Sequence, residues 1–459
     1  MKRLFLIALT MLLPLMAVAK GGYKFTLQID GCKDSMVLVC YYHAQTLRVL
    51  DTAFNDGHGK FVFQGDRELK PGLYYFSNEK GKTVDFVVYH EKPHFKFRTD
   101  DRNWERNISV SGSRQNTLFF NFNRSTEHVY DAVRAARDEM DSAAFLEFRR
   151  QQFLRIDTIR MEFIAKHPDA MLSKMMLATK DPAAPPDSLK GNDRYFYIMH
   201  HYFDNMPLDD DFLVRTPRSV FYERVNEYVE KRMHGLPPEL VIPLVDSLID
   251  RSEPAPEVFN WLLLTLTERY LQSNIMVYDE IYVHLVQRYF ATGKASFLSP
   301  STIDEQVERA NKWDRLLVGR EAPELILFDT TRRVWSLHHM PGRYTLLLFW
   351  SPTCGHCRDI IPAVYKVFDR LADSLDMTAF AILSEPEEST IVKWKKFLAE
   401  HNMTNPRWVN LNGGEANIDW REVYDVTTTP QIYLIKNETH KFLAKKLSAD
   451  LLEQICKQL

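Results

Sequence analysis

The chain has 459 residues, 45% of them apolar and 26% charged, with a formal net charge of −3. Domains cluster near ~100–200 residues, so this length excludes a single ordinary core. The near-balanced charge, with no basic or acidic tail, gives no electrostatic basis for nucleic acid or an anionic membrane as a partner.

Lys2 and Arg3 open the chain, and an almost wholly apolar run follows from Leu4 to Val18. Ala17, Val18 and Ala19 are the small residues that signal peptidase requires, so residues 1–19 read as a signal peptide cut after Ala19. The run is shorter than the ~20 residues a membrane-spanning helix needs. The expectation is an exported, periplasmic protein in a compartment that permits disulfides. Five cysteines, Cys32, Cys40, Cys354, Cys357 and Cys456, are nonetheless too few to staple a chain this long, so they point to chemistry.

Residues 20–112 read as an all-β sandwich. Tyr23 to Ile29 alternates apolar and polar residues, and Met36 to Tyr42 is a second run. Lys60–Gly65 enters through the turn at 55–59, and runs at 73–76, 83–89 and 94–97 follow. A tight hairpin between the first two strands would set Cys40 opposite a residue near Gln28, which separates it from Cys32 and leaves both thiols free.

Residues 113–317 switch to helical period, with Phe145, Phe148, Phe153, Ile156 and Ile159 recurring in a charged background. Further helices are predicted over 220–233, 238–249, 257–271 and 278–290, with prolines between them, giving an all-α region. Residues 318–459 alternate strand and helix. Strands are predicted at 324–329, 344–350, 377–384, 406–411, 431–435 and 440–447; helices are predicted at 354–371, 389–401, 420–424 and 448–459. That order argues an α/β sheet covered on both faces.

The chemistry concentrates at Cys354-Gly355-His356-Cys357. The apolar strand ending at Trp350 delivers the chain through Ser351-Pro352-Thr353 to Cys354 at a helix start. Free N–H groups and the helix dipole favour a thiolate there. Cys357 follows one helical turn later, within disulfide reach. A thiol near pKa 8.5 becomes about half ionised at pH 7 if lowered by ~1.5 units, which needs roughly 2 kcal/mol. The helix terminus and a protonated His356 together are of that order.

The stretch from Trp350 through Cys354 and Cys357 to Pro362, with the second fingerprint Thr428-Thr429-Pro430-Gln431, resembles the thioredoxin superfamily. Gly319 to Leu325 and the extra helix at 389–401 resemble its exported TlpA/ResA branch. The resemblance covers roughly the last 140 residues and implies a thioredoxin fold there. It also implies Cys354 as nucleophile, Cys357 as resolving thiol, and a cis Thr429–Pro430 clamp that binds substrate, with Trp350 as a wall of the site. It implies no cofactor beyond the dithiol, no metal, protein thiols or disulfides as substrates, and a membrane-bound electron donor.

The Gly-His pair is the one found in protein disulfide isomerases, so His356 is expected to tune the couple toward oxidation. The function class is therefore thiol–disulfide oxidoreductase, with reductase favoured by the branch and isomerase or oxidase by Gly-His. Two familiar proton acceptors are absent: Leu348 and Ile360 stand where relatives carry acidic residues. Glu385 is the remaining candidate, against the plainer reading of an exposed loop residue. A zinc site would need four ligands, and only one Cys-x-x-Cys is present. A redox-inert binding protein on a thioredoxin scaffold is the non-enzyme alternative.

Overall fold

Alternation builds the first sheets. In β1 (Tyr23–Asp30) the residues Tyr23, Phe25, Leu27 and Ile29 are buried while their neighbours are exposed or half-buried, as a period of two requires for a strand with one face in a core. A computed structural model describes residues 22–329 and 331–459; the expected signal peptide lies outside the described residues. The chain divides into two compact units, Met1–His234 with Leu248–Trp261, and Gly235–Ser247 with Leu262–Leu459.

In the first unit, β2 (Met36–His43), β3 (Thr46–Phe54), β4 (Lys60–Gly65), β5 (Gly72–Asn78), β6 (Thr83–Val88), β7 (His94–Asp100) and β8 (Ser109–Ser111) join β1. They form two four-stranded sheets, ordered β4-β1-β7-β8 and β3-β2-β5-β6. Phe25, Phe76, Phe86 and Phe97 meet between them; Phe76 and Phe86 stack at 4.6 Å and Phe25 meets Phe86 edge-on at 5.1 Å. The expected β1–β2 hairpin does not form. β1 pairs with β4 and β7, whereas β2 pairs with β3 and β5, so Cys40 lies opposite Tyr75 and Val49. The reason is burial: both strands carry an apolar face, and separate sheets let both faces enter one core. Cys32 and Cys40 are free thiols.

Helices Arg114–Glu139 and Ser142–Lys166 follow as a pair. Asn116, fully buried, ties the first of them to β6 through hydrogen bonds to the Val87 amide and carbonyl (2.7 and 2.8 Å). In the second, only Ile156 is buried, and Phe153, one of the apolar residues recurring at helical spacing, is exposed.

The second unit holds a seven-stranded sheet. Its strands are β9 (Ile326–Asp329), β10 (Val334–Ser336), β11 (Tyr344–Trp350), β12 (Met377–Leu383), β13 (Trp408–Asn412), β14 (Gln431–Lys436) and β15 (Lys441–Lys445), in the order β10-β9-β13-β12-β11-β14-β15. β11, β12 and β13 are parallel; β14 and β15 are antiparallel. Every residue of β11 is buried, and successive side chains enter opposite cores. Leu346, Leu348 and Trp350 join a cluster with the helix Gly355–Leu375, while Leu347 and Phe349 join one with Trp420 and Tyr424. This explains the uninterrupted apolar run: a central strand covered on both faces has no solvent side. Gly342, at φ +92°, makes the turn into β11 where an added Cβ would lie 2.3 Å from the Asp376 carbonyl oxygen.

Candidate active site

β11 ends at Trp350, and the turn Ser351-Pro352-Thr353 carries the chain to Cys354, which caps the helix Gly355–Leu375. The helix runs on through Pro362. Cys354 is partly exposed and Cys357 is fully buried, and both are free thiols. The Thr429–Pro430 peptide is cis, as the resemblance implies. It faces the pair, with the Cys354 thiol donating to the Thr429 carbonyl at 3.2 Å.

The environments drive the two thiols apart. Partial burial works against ionising Cys354, but hydrogen bonds from the Thr429 side chain, from Cys357 and from the His356 backbone outweigh it and lower its pKa. The unsatisfied N–H groups of a helix start act in the same direction. Burial pushes the Cys357 thiol up to about 12, only partly offset by a backbone hydrogen bond from Ser351. One thiol is partly exposed and inclined to ionise; the other is buried and holds its proton.

His356 is exposed on the helix's first turn. Trp350, expected as a wall of the site, is fully buried, so it presents no surface to a substrate. Its ring sits in the cluster that holds Cys357 and packs on Phe397 at 5.3 Å, beneath the helix Glu388–Glu400. Trp350 is thus the apolar backing of Cys357, and its place on the helix-covered face of β11 accounts for the burial.

Glu385 is an exposed loop residue after β12, yet it is bound to the site. Its carboxylate accepts from the buried Ser351 hydroxyl at 2.7 Å and from the Thr353 hydroxyl. Those two bonds hold its carboxyl below the ordinary range. Ser351 Oγ in turn accepts the Thr353 amide at 3.2 Å. Arg421, hydrogen-bonded to the Ser384 carbonyl, braces the same loop. The arrangement clamps the turn that carries Cys354.

Among the described residues, one group of potential metal ligands comes together, Cys32, Asp34 and Asp101, all within the first unit. Lys80 pairs with Asp34 and Lys82 with Asp101, at 2.7 and 2.8 Å, so cations of the chain already hold those carboxylates.

Residues 23–119 match the family model described as Domain of unknown function (DUF4369). The chain is 27% identical over 117 residues to the thioredoxin-like protein YneN of Bacillus subtilis (strain 168), covering 26% of this chain and 64% of the relative. It is 32% identical over 66 residues to the thiol-disulfide oxidoreductase YkuV of the same organism, covering 14% of this chain and 45% of the relative. It therefore spans less than two thirds of the length of either curated relative. A crystal structure of a thioredoxin-like protein from Bacteroides caccae ATCC 43185 covers 61% of this chain and 98% of its own, at 20% identity and a TM-score of 0.49. A domain of a possible thiol-disulfide isomerase from Cytophaga hutchinsonii ATCC 33406 covers 31% of this chain and 92% of its own, at 26% identity and a TM-score of 0.28. The homologues' names support the thiol–disulfide oxidoreductase class. No helix among the described residues is long and apolar enough to cross a membrane.

Proposed function

We propose that this protein is an exported thiol–disulfide reductase of the TlpA/ResA type, acting on protein disulfides through Cys354 and Cys357. The observation that carries the reading is the split pair: an accessible Cys354 with lowered pKa beside a cis-proline loop, and a buried Cys357 pushed up to about 12. The Cys354 thiolate attacks one sulfur of a substrate disulfide. A Cys354–substrate disulfide forms, the substrate S–S bond breaks, and the freed substrate thiolate takes a proton. Cys357 then gives up its proton and attacks Cys354 Sγ. The Cys354–Cys357 bond forms, the mixed disulfide breaks, and the second substrate thiol leaves. Two electrons pass from the enzyme dithiol to the substrate. A dithiol donor, membrane-bound by resemblance to the branch, restores the reduced pair, and no cofactor beyond the dithiol takes part.

Thr429 and Pro430 hold the substrate chain against Cys354, and His356 tunes the couple. The apolar run before Ala19 and the signal-peptidase pattern support export to the periplasm. The sandwich over 20–112 and the helices over 113–317 precede the redox domain over 318–459. A second reading, isomerase or oxidase, is favoured by His356 in the Gly-His pair, since an imidazolium beside the thiolate stabilises the reduced form. Incubation of the reduced protein with a disulfide-bonded protein tests the reading. Loss of substrate disulfides, abolished by Cys354→Ser, supports it; no turnover in the unaltered protein overturns it.

A further inference from the structure

The helix Ser142–Lys166 carries apolar residues on two faces. On the first, Phe148, Ile156, Ile159 and Phe163 are buried or half-buried, and Phe163 meets Phe122 of the preceding helix edge-on at 5.2 Å. The second face is in water: Leu146, Phe153, Leu154 and Met161 are 53%, 43%, 54% and 47% exposed. Residues three and four apart on a helix are surface neighbours, so these four join Arg150 and Asp157, both exposed, in one continuous stripe. One apolar face is enough to seat a helix on its own domain; a second one left in solvent marks an interaction surface.

The order of the stripe names the partner. From Leu146 through Arg150, Phe153, Leu154 and Asp157 to Met161 the steps are 4, 3, 1, 3 and 4 residues, the same in both directions. The chemistry is matched as well. Apolar side chains stand at both ends and in the middle, with a cation at one intermediate position and an anion at the other. A copy of this helix, turned antiparallel about a two-fold axis between Phe153 and Leu154, brings Leu146 level with Met161 of the second copy and Arg150 level with its Asp157. The axis repeats each contact, so the stripe forms two ionic pairs and covers its own apolar groups. Parallel pairing in register would set Arg150 against Arg150 and Asp157 against Asp157, which like charge opposes. Within one chain Arg150 donates to Glu147 at 2.8 and 2.6 Å, and Arg160 donates to Asp157 at 3.3 Å. Across the axis those two pairs join into a run of alternating sign, Glu147, Arg150, Asp157, Arg160.

We propose that the protein associates as a two-fold symmetric dimer through antiparallel pairing of the helix Ser142–Lys166 with its copy, Arg150 facing Asp157 of the second copy. The stripe spans about 24 Å of helix at 1.5 Å per residue. Two such helices bury less than the ~1,600 Å² of a standard interface, so the dimer is reversible and dissociates on dilution.

Sedimentation velocity of the full-length protein over roughly 1–100 µM tests the pairing. The unaltered protein is expected to shift from monomer to dimer across that range. Arg150→Asp and Asp157→Arg each set like charges level at both pairs and are expected to weaken self-association at least tenfold, with unchanged circular dichroism because both positions are exposed. An equimolar mixture of the two variants restores opposite charges at both pairs and is expected to sediment as a heterodimer. The double variant Arg150→Asp/Asp157→Arg swaps the charges and is expected to dimerise with itself. An unaltered protein that stays monomeric throughout, including one that binds lipid vesicles instead, overturns the inference. So does a dimer that survives in both single variants, which would place the contact elsewhere. Folded single variants that stay monomeric when mixed, or a folded double variant that stays monomeric, overturn the antiparallel register.

Discussion

Replacing Glu385 by alanine removes the acceptor of two hydroxyl hydrogen bonds and leaves the fully buried Ser351 without its 2.7 Å partner. A hydrogen bond to a charged group contributes about 1.5–3 kcal/mol, and an unsatisfied buried hydroxyl costs a similar amount. Glu385 is exposed, so solvent screening brings the expectation to the low end, about 1–2 kcal/mol for the pair. The Ser351 hydroxyl keeps its contacts with Thr353, which limits the loss further. Urea unfolding of the reduced Glu385→Ala protein should show that decrease at an unchanged slope. The turn also brings the Ser351 backbone to Cys357, where its hydrogen bond favours the thiolate. Resolution of a mixed disulfide, followed by stopped flow, should therefore slow several-fold in the variant and shift to higher pH. Glu385→Gln keeps an acceptor and should recover most of both effects. Unchanged stability with an unchanged pH profile in Glu385→Ala would refute the clamp.

The remaining expectations follow from burial and backbone geometry. Because Cys357 is pushed up to about 12, its thiolate is scarce at neutral pH, and resolution should accelerate close to tenfold per pH unit between about 7 and 9; a flat profile measured by quenched-flow alkylation would contradict this. The same raised value makes the fold favour the neutral thiol. The stability contributed is complete below the ordinary value of 9.0 and is lost as pH rises from there toward about 12, which alkaline unfolding of Cys357→Ala should show by losing that dependence. Lys445→Met removes one of the two cations on the buried Asp279 and should cost about 3 kcal/mol by chemical denaturation, since it leaves a buried carboxylate half-compensated. Gly342→Ala forces a side chain onto φ +92° against the Asp376 carbonyl and should lower the melting temperature by several degrees, with a normal circular dichroism spectrum at 20 °C if only the turn is strained.

Much of the second unit was legible because its signals are local. The apolar run 344–350 is a β-strand over those residues, since a central strand covered on both faces shows no alternation to misread. Cys354 at a helix start followed from the turn after the apolar strand, and the cis Thr429–Pro430 from the resemblance to the thioredoxin superfamily. What failed depended on long-range pairing. β3 escaped notice because Leu47, Val49 and Phe54 are exposed among Arg48, Asp51 and Thr52, giving no inward face to recognise. The β1–β2 hairpin was a reasonable inference from a short connection, but sheet membership is decided by partners 30 to 70 positions away. Trp350 reads as a site residue by proximity to Cys354, and its burial is visible only once the helices Gly355–Leu375 and Glu388–Glu400 cover its face. Glu385 meets Ser351 across 34 positions, which no spacing rule reveals, although its place at the end of a strand parallel to β11 would have put it at the same sheet edge.

The most direct test of the account is the redox titration of Cys354–Cys357 against defined thiol–disulfide buffers, with Trp350, in the same apolar cluster as Cys357, as the fluorescent reporter and Cys354→Ser as control. A reversible two-electron couple at about −250 mV or below, absent from the Cys354→Ser protein, is the predicted result; one at about −180 mV or above would make the protein an isomerase or oxidase. Absence of any reversible couple in the unaltered protein would contradict the central claim and leave a binding protein built on a redox-inert scaffold.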